Sequence, residues 1–244
     1  MKAKLERSGA GEIILFIHGA GGNANSWLYQ TKGLKSQCEV IAVDLPGHGM
    51  ASVGKGCTSI KEYRDSIQDT LSSSGIDKCF MVGHSMGGAI AMSFAMAFPD
   101  TVKGIVLVST GAKLKVFPQI LEGLMKDKEN TLNSIIEHAI SKNAPDTLKM
   151  GYFEEMMKCS PEVIYGDFLA CDRFNAMGTL NTINLPTLII CGTEDVLTPP
   201  KYSIYLQENI KGSRLVLIKD AGHMVMMEKP GEVNNAIIGF VNSI

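Results

Sequence analysis

The stretch Cys79-Phe80-Met81-Val82-Gly83-His84-Ser85-Met86-Gly87-Gly88-Ala89-Ile90-Ala91-Met92 decides how the rest of the chain is read. Its first four residues read as a buried strand, the run after Ser85 reads as a helix, and almost no loop separates them. One glycine stands two residues before Ser85 and another two after it. This is the G-x-S-x-G spacing of a nucleophile elbow, in the strand–turn–helix setting that gives the motif its meaning. The chemistry requires those glycines. A serine on so sharp a turn takes a strained backbone conformation, and side chains two residues to either side would collide. The turn lifts the hydroxyl above the sheet edge and aims the helix N-terminus at negative charge developing there.

Outward from the elbow, short apolar runs recur at residues 13–17, 40–43, 104–108, 187–191 and 214–218, beside the 78–82 run of the elbow itself. None alternates cleanly, the pattern of strands buried on both faces of a parallel sheet. Helical patterns at 60–73, 86–98, 201–209 and 232–241 separate them, so the expected fold is α/β, a doubly wound and mostly parallel sheet. One segment breaks the rhythm. Between the strand ending near Ser109 and the one opening at Thr187 lie four helical patterns, at 114–125, 131–140, 145–157 and 161–170. The expected organisation is a core of residues 1–112 and 179–244 with a helical cap, 113–178, inserted before the penultimate strand. Such a cap would roof the crevice at the carboxyl edge of the sheet. It holds 8 Lys and Arg against 10 Asp and Glu, and so offers no obvious cationic pocket for phosphate.

A serine hydroxyl needs a base. Of His18, His48, His84, His138 and His223, the last stands in Asp220-Ala221-Gly222-His223, directly after the final strand and at the same sheet edge as Ser85. His138 reads as a surface or packing residue of a cap helix, and His84 is expected to point away from the nucleophile. The imidazole needs a carboxylate to hold its tautomer. Asp195, in Gly192-Thr193-Glu194-Asp195 after the penultimate strand, fits, with Glu194 and Asp172 as rivals. The chain order Ser–Asp–His is the one expected when a nucleophile elbow begins the set. An oxyanion needs two aimed amides. Met86 supplies one, and the loop His18-Gly19-Ala20-Gly21-Gly22 supplies the other, from Ala20 or, behind it, Gly21. Gly19, Trp27 and Met224 are candidate substrate contacts, with packing beneath the cap as the competing reading of Trp27. Met125, Met150, Met156, Met157, Met177, Met224 and Met227 line either a plastic acyl pocket or an ordinary core.

With these residues in place, the chain resembles the α/β-hydrolase superfamily from His18-Gly19 to the C-terminal helix. Asp44-x-Pro46-Gly47-His48-Gly49, Gly192-x-x-Asp195 and Gly222-His223 match its loops. The resemblance implies that residues 44–49 are structural and that His48 has no catalytic part. Few residues precede Ile13, so the family's N-terminal hairpin is shortened here, leaving about seven strands. Epoxide hydrolases and haloalkane dehalogenases carry aspartate where this chain has Ser85. Menaquinone-pathway lyase-like members carry arginine where it has Ala89, and ring-cleavage C–C hydrolases usually show tryptophan in the loop after the histidine. Gly-His-Ser-Met-Gly-Gly is common among carboxylesterases and monoacylglycerol lipases. The resemblance therefore implies a serine hydrolase that cleaves carboxylic esters of short to medium apolar acyl chains through an acyl-enzyme on Ser85. A lactonase or C–C hydrolase with the same triad is the alternative, and a slow-turnover receptor or hydroxynitrile-lyase-like lyase is the alternative of another class.

Composition agrees with a soluble enzyme: 244 residues, 45% hydrophobic, 20% charged and a net charge of −2. That charge predicts no nucleic-acid partner. No apolar run is long enough to span a membrane, and the charged N-terminus lacks a secretory leader, so a cytoplasmic location is expected. Six scattered cysteines without a Cys-x-x-Cys pair speak against a zinc or redox motif. Neither a metal nor a cofactor is expected.

Overall fold

The apolar runs pair into one seven-stranded sheet in a computed structural model that describes residues 3–244. Met1 and Lys2, which open the charged N-terminal stretch and the first core segment, lie outside the described residues. The strands are β1 (Lys4–Ser8), β2 (Ile13–Ile17), β3 (Glu39–Asp44), β4 (Cys79–His84), β5 (Val102–Val108), β6 (Thr187–Gly192) and β7 (Arg214–Ile218), in the order β1-β3-β2-β4-β5-β6-β7. Strands β2 to β7 run parallel, and β1 pairs antiparallel with β3. Strand β1 has no apolar run to announce it. Its Lys4, Glu6 and Arg7 are exposed, as suits an edge that must not recruit another strand.

The helices are α1 (Leu28–Leu34), α2 (Ile60–Ser73), α3 (Met86–Ala97), α4 (Pro118–Lys126), α5 (Lys128–Ala139), α6 (Asp146–Lys158), α7 (Pro161–Arg173), α8 (Pro200–Asn209), α9 (Val225–Glu228) and α10 (Pro230–Val241). Helix α2 begins where Ser59 accepts a hydrogen bond from the Glu62 amide and Glu62 reaches back to Ser59, a capping box. Side chains alternate across the sheet with period two. Leu15, Ile17, Met81 and Leu107 pack with α2, α3 and α8, whereas Ile14, Phe16, Val82 and Val106 pack with α1, α10 and the inserted helices. Burial on both faces explains why these strands read as unbroken apolar runs.

Helices α4 to α7 fall between β5 and β6, inside the segment 113–178 expected to form the cap. The two ends of the insertion meet: Ala176 N–H donates to Ala112 O at 2.7 Å, and Lys113 bridges to Asn175. Strand order reverses around β2, which lies between β3 and β4. The loops leaving the carboxyl ends of β2 and β4 therefore part at one point, where folds of this kind bind ligands.

Candidate active site

Ser85 sits in that crevice with φ 50° and ψ −113°, a conformation that costs an L-residue about 1–3 kcal/mol. Its backbone is pinned: Ser85 N–H donates to Val108 O at 3.0 Å, and the Thr110 hydroxyl donates to Ser85 O at 2.8 Å. A Cβ on Gly83 would overlap the Gly87 carbonyl, and one on Gly87 would overlap the carbonyl of Ile17. Both elbow glycines are therefore demanded by close backbone approach. Met86 opens α3, so its amide has no acceptor within the helix.

His223 and Asp195 come together from the loops after β7 and β6. His223 Nδ1 lies 2.9 Å from Asp195 Oδ2 and 3.2 Å from Oδ1. The carboxylate is buried, and it also accepts from Leu197 N–H at 3.0 Å, Thr198 N–H at 2.8 Å and the Thr198 hydroxyl at 2.8 Å. Leaving a buried carboxylate unpaired costs several kcal/mol, and charge-assisted hydrogen bonds return about 1.5–3 kcal/mol each. Burial alone would raise the Asp195 carboxyl. The His223 charge and hydrogen bond, joined by the Thr198 donors, outweigh it and hold the group below its ordinary range. Glu194 is exposed, and Asp172 is engaged by Lys115 at 3.0 Å and by Val116 N–H at 3.3 Å.

Thr198 was not singled out by sequence reasoning, yet its hydroxyl touches both members of the pair, lying 3.1 Å from His223 Nδ1. His84 does not point away from the site. Its Nε2–H donates to His223 O at 3.0 Å, and the two rings lie 4.7 Å apart. Burial, and then the His223 charge, lower the His84 pKa to about 3, so the ring stays neutral. The His223 loop is also tied to the insertion, since His223 N–H and Met224 N–H both donate to Ala139 O, at 2.8 and 3.2 Å.

The loop after β2 is held from beneath. His18 Nε2 accepts from Leu45 N–H at 3.2 Å, which leaves Nδ1–H to donate to Gly19 O at 2.8 Å. Gly21 N–H donates to Asp167 Oδ2 of α7 at 2.8 Å. Of the two amides weighed for an oxyanion, Gly21 is thus already engaged, and Ala20 lines the cavity.

That cavity measures about 720 Å³, within the usual range of small-molecule sites. Ser85 and His223 share its floor, and Leu114, Val116, Phe117, Ile120, Ile135 and Phe168 make an apolar wall. Asn130, Ser134 and His138, on successive turns of α5, add a polar stripe to its lining. His138 therefore lines the cavity rather than serving only as surface or packing. Three expected contacts lie elsewhere. Trp27 is fully buried, its ring 5.0 Å from Phe16 and 6.5 Å edge-on to His84; Met224 is buried; and Gly19 is packed beneath His84 and Ser85. Of the seven methionines, Met156 alone is on the cavity wall among the described residues: Met125, Met150 and Met177 face solvent, Met157 and Met227 are half-buried, and Met224 is buried.

The family described as the alpha/beta hydrolase fold matches residues 12–230, and this chain belongs to it. A solved thermophilic esterase is 33% identical, with a TM-score of 0.85 over 99% of this chain and 94% of that one. Est816, an N-acyl homoserine lactone degrading enzyme, is 27% identical with a TM-score of 0.88 over 98% of this chain and 96% of its own. Pimeloyl-[acyl-carrier protein] methyl ester esterase of Neisseria meningitidis is 26% identical over 86% of both chains. Among the described residues no helix is long and apolar enough to cross a membrane.

Proposed function

We propose that the protein is a carboxylic ester hydrolase in which Ser85 is the nucleophile, His223 the base and Asp195 the orienting carboxylate. The observation that carries this reading is the buried Asp195–His223 pair at 2.9 Å, on the same cavity as a strained, elbow-mounted Ser85. His223 Nε2 takes the hydroxyl proton while Ser85 Oγ attacks the ester carbonyl. The amides of Ala20 and Met86 receive the oxyanion, Ala20 being favoured because Gly21 N–H is bound to Asp167. The C–O bond breaks as the imidazolium returns the proton to the leaving alcohol. Water then releases the acid from the acyl-enzyme, with His223 again as base.

The apolar wall supports short to medium acyl chains as substrates. The polar stripe of Asn130, Ser134 and His138 supports a second reading, a lactone or other ester with a hydrogen-bonding end. Steady-state hydrolysis of p-nitrophenyl esters from acetate to laurate, beside the Ser85→Ala variant, tests the proposal. Repeated turnover that falls by about 10⁴–10⁶-fold in the variant is the expected result. Near-normal activity in a folded Ser85→Ala protein would remove Ser85 from the mechanism. Turnover of N-acyl homoserine lactones but not of the linear esters would select the second reading.

A further inference from the structure

Beneath the loop that carries Ala20 lies a second cluster of buried polar side chains that the proposed reaction does not use. Its centre is Asp167 on α7, fully buried and carried by the inserted helices rather than by the core. Three donors from three different core segments converge on its two oxygens. Gly21 N–H, from the loop after β2, donates to Oδ2 at 2.8 Å; His48 Nε2–H, from the loop after β3, donates to Oδ2 at 2.8 Å; and the Tyr63 hydroxyl, from α2, donates to Oδ1. His48 Nδ1–H is spent on Pro46 O at 3.1 Å, so both ring nitrogens face acceptors and the ring is an imidazolium. Tyr63 in turn accepts the Cys57 amide at 3.1 Å.

The geometry of the loop shows what this cluster holds. A trans peptide is planar, and its C=O and N–H point in opposite directions. Gly19 O accepts from His18 Nδ1–H at 2.8 Å and from Gly22 N–H at 3.1 Å, which turns the Ala20 N–H the other way. Gly21 N–H, bound to Asp167, fixes the next peptide plane in the same manner. Ala20 thus sits between two pinned planes, one held by His18 and the other by Asp167. The rings of His18 and His48 lie 4.8 Å apart, so the two supports also pack on each other.

We propose that Asp167 is a positioning residue of the inserted helices that sets the Ala20 amide for the oxyanion, so that seating α7 on the core and completing the oxyanion site are one event. The inference rests on the reading of Ser85 and Ala20 given above. Asp167 touches no substrate. It acts through Gly21, and its removal costs stabilisation of the tetrahedral state rather than ground-state binding.

The test compares the parent with Asp167→Asn and Tyr63→Phe in ester hydrolysis and in inhibition by 1,1,1-trifluorododecan-2-one, whose hemiketal places an oxyanion at the site. A thermal melt of each variant accompanies these measurements. Folded Asp167→Asn should lose about 10–100-fold in kcat and a comparable factor in trifluoromethyl ketone affinity, with KM changed by less than about threefold. A merely structural role would lower the melting temperature and leave that split unmoved, and kcat and inhibitor affinity within about twofold of the parent would overturn the proposal. Should Asp167→Asn fail to fold, Tyr63→Phe keeps the carboxylate and carries the same comparison. For that variant a loss of about 3–10-fold in both quantities supports the proposal, and parental values overturn it. The parent separates the two layers of argument. A parent inert on both linear esters and N-acyl homoserine lactones overturns the reading of Ser85 and this inference with it, whereas an active parent with unaffected variants overturns this inference alone.

Discussion

Asp195–His223 and Asp167–His48 are the same chemical pair, closed at 2.9 and 2.8 Å, in surroundings that give them different work. His223 uses Nδ1 on its carboxylate, and its ring reaches the cavity floor beside Ser85. His48 uses Nε2 on its carboxylate and Nδ1 on Pro46 O, and neither side chain of that pair reaches solvent. The first pair keeps a nitrogen for proton exchange on the proposed reading. The second has none left, and it serves as a strut between the inserted helices and the core. Which nitrogen the aspartate takes, and what the other one meets, separates a base from a brace.

The largest expected difference follows from Asp195→Asn. It presents the wrong hydrogen-bonding group to His223 Nδ1 and should lower kcat by about 10⁴-fold in a chain that circular dichroism shows still folded. A mild effect, with Glu194→Gln severe, would move the orienting role to the neighbour. His48→Ala strands the Asp167 charge and should cost about 3–5 kcal/mol of stability, read as a lower urea midpoint. A midpoint unchanged from the parent would mean that the strut bears no load. Thr198→Val removes one donor from Asp195 and leaves two backbone donors, so about 1.5 kcal/mol and a roughly tenfold fall in kcat are expected.

Stability against pH gives the smallest and most selective contrast. Burial lowers the His48 pKa, but the Asp167 charge and hydrogen bond outweigh it and hold the ring well above its ordinary value. Its contribution is complete below about pH 6.5 and fades as pH rises through the folded value. Asp195 is held low, so its contribution is present above about pH 3.9 and fades as pH falls through the lowered value. Thermal melts between pH 6 and 10 should therefore show an alkaline decline that is flatter in His48→Gln. Parallel declines in parent and variant would place the alkaline loss elsewhere.

The contrast also explains what could be read in advance. Ser85, Asp195 and His223 each follow a strand in a glycine-marked turn, so local pattern places them at one edge of the sheet. Helix α2 is legible as a helical pattern at about 60–73, and the structure adds the Ser59 and Glu62 cap that starts it. Asp167 carries no such mark. It lies inside a helix, and its partners stand 146, 119 and 104 residues away in sequence. His48 was read from its loop as structural, but the charge that it meets comes from another segment altogether. Apolar pattern does not mark strand β1 or helix α1 for a related reason: one is a charged edge, implied only through the resemblance that leaves seven strands, and the other is two turns long, so neither builds a clear apolar period. Trp27 stands open in the sequence between substrate contact and packing, and the structure places it in the core against Phe16.

The fastening of the inserted helices has an evolutionary side. Their two ends leave the core side by side at Ala112 and Ala176, an arrangement that favours exchange of the whole insert without disturbing the sheet. Yet Ala139 O receives two amides of the His223 loop, Glu228 joins Gly222 N–H to Ser141 N–H, and Asp167 holds Gly21. A transplanted insert would leave the His223, Met224 and Gly21 amides without those acceptors unless it brought its own, and would leave Glu228 bound to Gly222 alone. Variation of the cavity-lining side chains Ile120, Asn130, Ser134 and His138 on α4 and α5 would leave those seams intact.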